Sequence, residues 1–310
     1  SASMLALMEA FQETDLPTGV LNVVTGFGEE TGEPLISHPL IRLVSFTGGV
    51  AGGSAVAMAA SRQVKPVILE LGGKSPQIVL GDADLNLAAN GIATGIFPPA
   101  GQTCIAGSRL LVQRELHDKL VDIVCNIVRP ARLGHPENAD TQIGPIANEP
   151  HFKRILEHIK EAKDEGARLV LGGNAVQPDS APNGWFIEPT IFTDVTPDMR
   201  LAREEVFGPV LAVVPFDSEE DAIRIANDSK FGLAAGVWTR DSARGIRMAE
   251  RIAAGTVYIN NYFNATTQSP VGGYKQSGYG RENGIEGMKA FLQIKSVWLA
   301  TEPNQPNPFA

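Results

Sequence analysis

Short β-branched runs alternate with helix-periodic segments along most of the chain, and no other feature constrains its fold as strongly. Leu5, Met8 and Phe11 recur at helical spacing within 4–14, and a β-branched run at 20–24 (VLNVV) reads as a strand after the turn LPTG. The pattern predicts a helix through 29–36, a strand ending at Ser45-Phe46 and a small-residue helix over 49–61. Strands follow at 65–71, 76–80, 109–113, 210–216, 233–239 and 256–260, and helices at 84–97, 115–128, 151–166, 219–228 and 241–253. The run 291–300 reads as a last strand, and the proline-rich tail TEPNQPNPFA as loose. Such alternation predicts an α/β fold with mostly parallel sheets. With neither an internal repeat nor a low-complexity linker, it predicts two cooperating lobes rather than tethered domains.

Composition removes several classes of function. The 310 residues are 43% apolar and 20% charged, enough for a sizeable core and too apolar for wholesale disorder. Lys plus Arg is 26 and Asp plus Glu 35, so the net charge is 26 − 35 = −9. That balance argues against a nucleic-acid or anionic-membrane partner. The uncharged stretches, 43–61 and 86–108, are rich in Gly, Ser, Thr, Asn or Pro and do not read as lipid-facing helices. They are expected to be buried or to wrap a ligand. Cys104 and Cys125 are too few for a disulfide framework or a cysteine-rich zinc site, so a reducing, cytoplasmic setting is expected. The histidines show no metal spacing. His151 and His158, seven apart on one helix with basic neighbours, read as a solvated face.

Six segments could carry chemistry. Gly26-Phe27-Gly28 with Gly32 and, after the next strand, Ser45-Phe46-Thr47-Gly48-Gly49 with Gly52 and Gly53 each place glycines before a helix. There, backbone N–H groups can approach a phosphate, or the glycines can simply let helix and strand pack closely. Glu70 ends an apolar strand in ELGGKSP, where burial raises a carboxylate pKa and suits a general base, unless Lys74 pairs with it. Cys104 lies in GQTCIAGSR, a small, polar loop that leaves the sulfur reachable, whereas Cys125 sits mid-helix on an apolar face. EEVFGPV (204–210) and PVGGYKQSGYGRE (270–282) read alone as a loop entering a strand and a crossing between lobes.

Taken together and in this order, ELGGKSP, GQTCIAGSR, EEVFGPV and PVGGYKQSGYGRE resemble the aldehyde dehydrogenase superfamily from about Ser3 to Leu299. The resemblance implies a partial Rossmann-like cofactor domain (1–72), an α/β catalytic domain (73–277) and a return segment (278–310) with an oligomerisation strand and loose tail. It implies oxidation of an aldehyde to a carboxylate with NAD or NADP, in a homo-oligomer. Cys104 matches the nucleophile and Glu70 the base that hydrolyses the thioester. Gly48, Gly49, Val50, Ala51, Gly52, Gly53 and Leu71 match the segment around the pyrophosphate, Glu205 the ribose ligand and Phe207 the ring beside the nicotinamide. Pro99 and Gly49 depart from the asparagine and serine common there. The family's upstream asparagine and lysine have no counterpart, so a chain lacking the family's N-terminal part is expected. An inactive interaction module and a cofactor-independent Cys–Glu esterase are the alternative readings.

Overall fold

A strand buried on both faces reads as a near-continuous apolar run, and three segments supply one: PQIV, RLLVQ and VLAVVPF. The computed structural model, which describes residues 1–302 and 305–310, builds its main sheet on them. In chain order the strands are β1 (Val44–Thr47), β2 (Val67–Glu70), β3 (Pro76–Val79), β4 (Arg109–Gln113), β5 (Arg168–Leu171) and β6 (Ala175–Val176). Then come β7 (Phe186–Ile187), β8 (Thr190–Thr193), β9 (Val210–Phe216), β10 (Ala234–Trp238), β11 (Thr256–Ile259) and β12 (Gly278–Tyr279). A seven-stranded sheet runs β11-β10-β3-β4-β9-β8-β5, parallel throughout except for the antiparallel β5–β8 edge. A smaller sheet runs β1-β2-β12, and a two-stranded ribbon pairs β6 with β7. The predicted α/β class with mostly parallel pairing is what forms.

Polar caps fix where the crossover helices begin. The side chains of Asp84, Asn148, Ser218 and Asp241 each accept a backbone N–H in the first turn of the helices 85–94, 149–164, 219–227 and 242–251. Their apolar faces close the core over the large sheet, with Ile92, Ile155, Ala222 and Met248 fully buried. Arg109 is 2% exposed and spends its charge on carbonyls: Nε donates to Lys74 O at 2.8 Å, Nη1 to Ile225 O at 3.1 Å and Nη2 to Ala226 O at 3.0 Å. The last two lie in the final turn of helix 219–227, where orphan carbonyls welcome a cation.

Several expectations are corrected. Residues 20–24 form turns and irregular backbone, because no strand lies beside them to complete a ladder. The run 291–300 is likewise not a strand. Ile294 and Trp298 are almost fully exposed, with no neighbour among the described residues of this chain. Of the tail, 303–304 lie outside the described residues; the remainder has no helix or strand. The helix predicted over 84–97 stops at Thr94, and turns continue through Gly95 and the Pro98-Pro99 pair. The predicted 29–36 helix opens as a π-turn, Gly28–Gly32, before an α-turn at Glu33–Ser37. The first helix, Ala2–Phe11, buries none of its residues.

Candidate active site

The link between the two sheets is the five-residue crossing Leu71-Gly72-Gly73-Lys74-Ser75, every residue of it buried. Ser277 pins this crossing. Its carbonyl accepts from Leu71 N at 2.9 Å, and its hydroxyl donates to Gly72 O at 2.7 Å while accepting from Gly232 N at 2.9 Å. Gly278 then pairs across from Glu70 in the β2–β12 ladder. The glycine-rich loop near the end of the chain thus locks the strand end that carries Glu70.

Cys104 sits in the turn between helix 85–94 and β4, after two left-handed residues, Ala100 (φ 51°) and Gly101 (φ 68°). Tyr262 holds that turn by donating its hydroxyl to Ile105 O at 2.7 Å. Gln102 ties it to the segment before helix 149–164, donating to Pro145 O at 3.1 Å and accepting from Ala147 N at 2.8 Å. A Cβ on Gly73 would stand 2.6 Å from the Cys104 carbonyl, so the two backbones touch only because position 73 lacks a side chain. From the other side, Glu205 Oε1 accepts the Gly73 N–H at 3.0 Å, and a Cβ on Gly72 would overlap the Glu205 carboxylate. The fold therefore gathers Glu70, Cys104 and Glu205 around one glycine pair.

Burial dominates the electrostatics. Glu70, 6% exposed, is pushed up to about 7 by desolvation and by the Glu282 carboxylate, with Arg281 opposing. One of its carboxylate oxygens, Oε1, has no hydrogen-bond partner among the described residues. The Cys104 thiol is raised, first by burial and then by the charges of Glu205 and Glu70, against the lowering effect of the Ile105 N–H. Backbone N–H groups stabilise its thiolate, but burial outweighs them. Its side chain is half-buried, whereas Cys125 is buried within its helix. Glu205 is raised by burial, less the Gly73 hydrogen bond and the Lys74 charge. Lys74 lies 1% exposed, its Nζ without a hydrogen-bond partner among the described residues, and is lowered to about 7 by desolvation. It makes no ion pair with Glu70; the carboxylates whose charges act on it are Glu205 and Glu204.

Of the two purposes considered for the glycine turn after β1, close packing is visible directly. Gly48 accommodates the Phe46 ring and Gly53 the Leu71 side chain, which is close packing. Gly49 opens the helix Val50–Ser61 with no side-chain cap and free space where a Cβ would be. Val50 and Ala51 form its first turn. Beside that turn lies a groove of about 870 Å³ with Phe27, Ile36, Phe46, Gly52 and Val56 in its wall and Glu29, Glu33 and Arg62 at its polar side. Phe46, Ile36 and Val56 went unnoticed as lining of this groove. For Phe46 and Val56 the one sequence signal is the absence of charge through 43–61; Ile36 carries none. The donor-rich helix start, the apolar groove and the Glu205 carboxylate fit the phosphate, ring and ribose parts of a dinucleotide.

Two histidines read as solvated are not. His158 is 4% exposed on the buried face of helix 149–164 and held down to about 4 by burial and the charges of Arg200 and Lys74. His151 is half-buried, and its ring lies 5.8 Å from that of Phe207. Phe207 itself adopts φ 55°, a left-handed backbone rare for an aromatic residue. Among the described residues, no group of three or more His, Cys, Asp or Glu is placed to hold a metal ion, and no helix is long and apolar enough to cross a membrane.

Comparison with known proteins matches both the sequence and the fold. The model of the aldehyde dehydrogenase family matches residues 1–297. A betaine aldehyde dehydrogenase of Brucella anthropi is 46% identical over 297 residues, covering 96% of this chain and 61% of the relative. An NAD-dependent aldehyde dehydrogenase from Sinorhizobium meliloti superposes with a TM-score of 0.95 at 42% identity, over 99% of this chain and 60% of that one. A betaine aldehyde dehydrogenase from Staphylococcus aureus, solved in complex with NAD+, gives 0.95 at 40% identity, over 99% and 61%. The chain thus spans about three-fifths of the length of the relatives it matches.

Proposed function

Because this chain belongs to the aldehyde dehydrogenase family, we propose that it carries the nucleophile, the base and part of the cofactor site of an enzyme that oxidises an aldehyde to a carboxylate with NAD or NADP. The observation that carries this reading is the convergence of Cys104, Glu70 and Glu205 on Gly72-Gly73. The first turn at Gly49–Gly53 would face the pyrophosphate, Glu205 the nicotinamide ribose and Phe207 the nicotinamide ring. Functionally the chain divides into 1–72, 73–277 and 278–310.

The residues act in sequence. The Cys104 thiolate adds to the aldehyde carbon, forming the C–S bond as the carbonyl oxygen takes up charge that the Cys104 N–H can meet. When bound, NAD(P)+ supplies the acceptor for the hydride that leaves this carbon, so that a thioester remains on Cys104. Glu70, its basicity raised by burial, takes a proton from water. The hydroxide equivalent adds to the thioester carbon, the C–S bond breaks, and carboxylate and thiolate part. Keeping Cys104 as a free thiol suits a reducing, intracellular setting. The exposed apolar run Phe291–Leu299 suits contact with a second copy. The presence of both Cys104 and Glu70 also favours hydrolysis of activated esters without cofactor.

Incubation of the chain with an aldehyde and NAD(P)+, and separately with p-nitrophenyl acetate, tests this. Turnover that Cys104→Ser abolishes while Cys125→Ser preserves it is the expected result. Turnover that survives Cys104→Ser would overturn it.

A further inference from the structure

Phe207 is held in a left-handed conformation that a β-carbon disfavours, so something must hold it there. The structure supplies one clasp. His151 Nε2 lies 2.7 Å from Phe207 O, and Arg154 Nη2 lies 3.1 Å from His151 Nδ1. A guanidinium nitrogen can only donate. Nδ1 must therefore accept, which leaves the proton on Nε2, aimed at the Phe207 carbonyl.

We propose that His151 is a positioning residue: a neutral imidazole, its tautomer set by Arg154, that holds the Phe207 backbone in its left-handed form and so sets the ring against the cofactor. The orienting part of this rests on Phe207 flanking the nicotinamide; the clasp itself does not.

The surroundings make the clasp rigid. Asn148 caps the helix by accepting the His151 N–H at 3.0 Å, and its first turn carries a proline, Pro150. Gly208, next after Phe207, has room only for a hydrogen where Ile155 of the same helix packs. Gln102 ties the segment before this helix to the Cys104 turn. Helix 149–164 is thus the common mount of Cys104 and Phe207. The charged groups around the ring keep it neutral. Burial, then Arg154, lower its pKa, against the bond to Phe207 O. Lys153 is paired with Glu149 at 2.7 Å on the solvent side, and Glu205 of the packed loop is taken by Gly73.

The test uses the full chain labelled with 15N-histidine, together with His151→Gln, which keeps an N–H donor at similar reach, and His151→Leu, which removes it. Long-range 1H–15N correlation should show His151 as the neutral Nε2–H tautomer at pH 7, charging only below the ordinary histidine range. An Nδ1–H tautomer, or ordinary titration, would overturn the clasp. Calorimetry with nicotinamide mononucleotide and with AMP reads the consequence. His151→Leu should weaken the mononucleotide roughly tenfold, the loss of about one hydrogen bond's worth of ordering, leave AMP unchanged, and be rescued by His151→Gln. Equal weakening of both, or none of either, would overturn the orienting role. Failure of the unmutated chain to bind either nucleotide, with the tautomer as expected, would instead sink the cofactor reading and leave the clasp standing.

Discussion

The carboxylate of Glu205 occupies the space where Gly72 would carry its first side-chain atom, and it is held there by the neighbouring Gly73 N–H. A carboxylate on the EEVFGPV loop and a backbone on the ELGGKSP crossing therefore share one volume. Gly72→Ala should push Glu205 off Gly73. The end of a glutamate can swing aside, so the melting temperature should change little. Cofactor affinity should fall about tenfold or more, since a charged hydrogen bond is lost. Calorimetry and thermal unfolding on the same variant separate the two. A large loss of stability with unchanged affinity would refute the assignment.

Glu70 gives a pH signature. Its pKa is raised from the model-compound value of 4.5 to about 7. Between those values the folded state holds a proton that the unfolded state has released, so stability is greatest below pH 4.5 for this group and declines as pH rises through 7. The contribution is on the order of 2 kcal/mol after allowance for solvent screening. Glu70→Gln should flatten that decline and be more stable than the unmutated chain at pH 8. Chemical unfolding at pH 5 and pH 8 measures it. In turnover, the same variant should acylate and then stall as the acyl-enzyme, seen by mass spectrometry. Equal slowing of acylation and deacylation would remove the base role.

Cys104 should react with iodoacetamide before Cys125, because its side chain is half-buried in a turn while Cys125 is buried in a helix. The rate should climb steeply above the ordinary thiol range, since burial and the charges of Glu205 and Glu70 disfavour its thiolate. Glu205→Gln should move that profile to lower pH. Peptide mapping after limited labelling reads both effects; first labelling at Cys125 in the native state contradicts them.

Arg109→Met should be the most destabilising of these changes. It leaves the carbonyls of Lys74, Ile225 and Ala226 without their donor inside the core. A loss of about 3 kcal/mol or more is expected from thermal or denaturant unfolding. A change below about 1 kcal/mol would mean that the carbonyls find other partners.

Much of this arrangement was readable beforehand, for local reasons. PQIV, RLLVQ and VLAVVPF announce buried strands because apolar residues dominate them, with polar residues only at Gln77 and at the two ends of RLLVQ. Glu70 and Cys104 stand out because each breaks the character of its surroundings. What escaped notice depends on distant partners. β5 and β8 (RLVL and TIFT) are four residues each and become strands by pairing with one another and with β9. The β-branched run at 20–24 and the apolar run at 291–300 have strand composition but no ladder within this chain. His158 looked solvated because its sequence neighbours are charged, yet helical geometry turns it inward with Ile155 and Ile159. The Phe207 backbone has no local sign at all, since its conformation is imposed from helix 149–164.

The ladder between β2 and β12 places Glu70 opposite Gly278, a residue near the other end of the polypeptide. A ribosome that has finished Glu70 and Cys104 has yet to make the strand that locks the first and the loop that shields the second. Contacts so distant in sequence form late. A nascent chain therefore presents its most reactive sulfur and an open sheet edge before either is protected, a window in which aggregation or oxidation competes with completion. Closing the site is among the final acts of folding, so a chain cut short between β11 and β12 loses the seat of its base while keeping the strands of its large sheet.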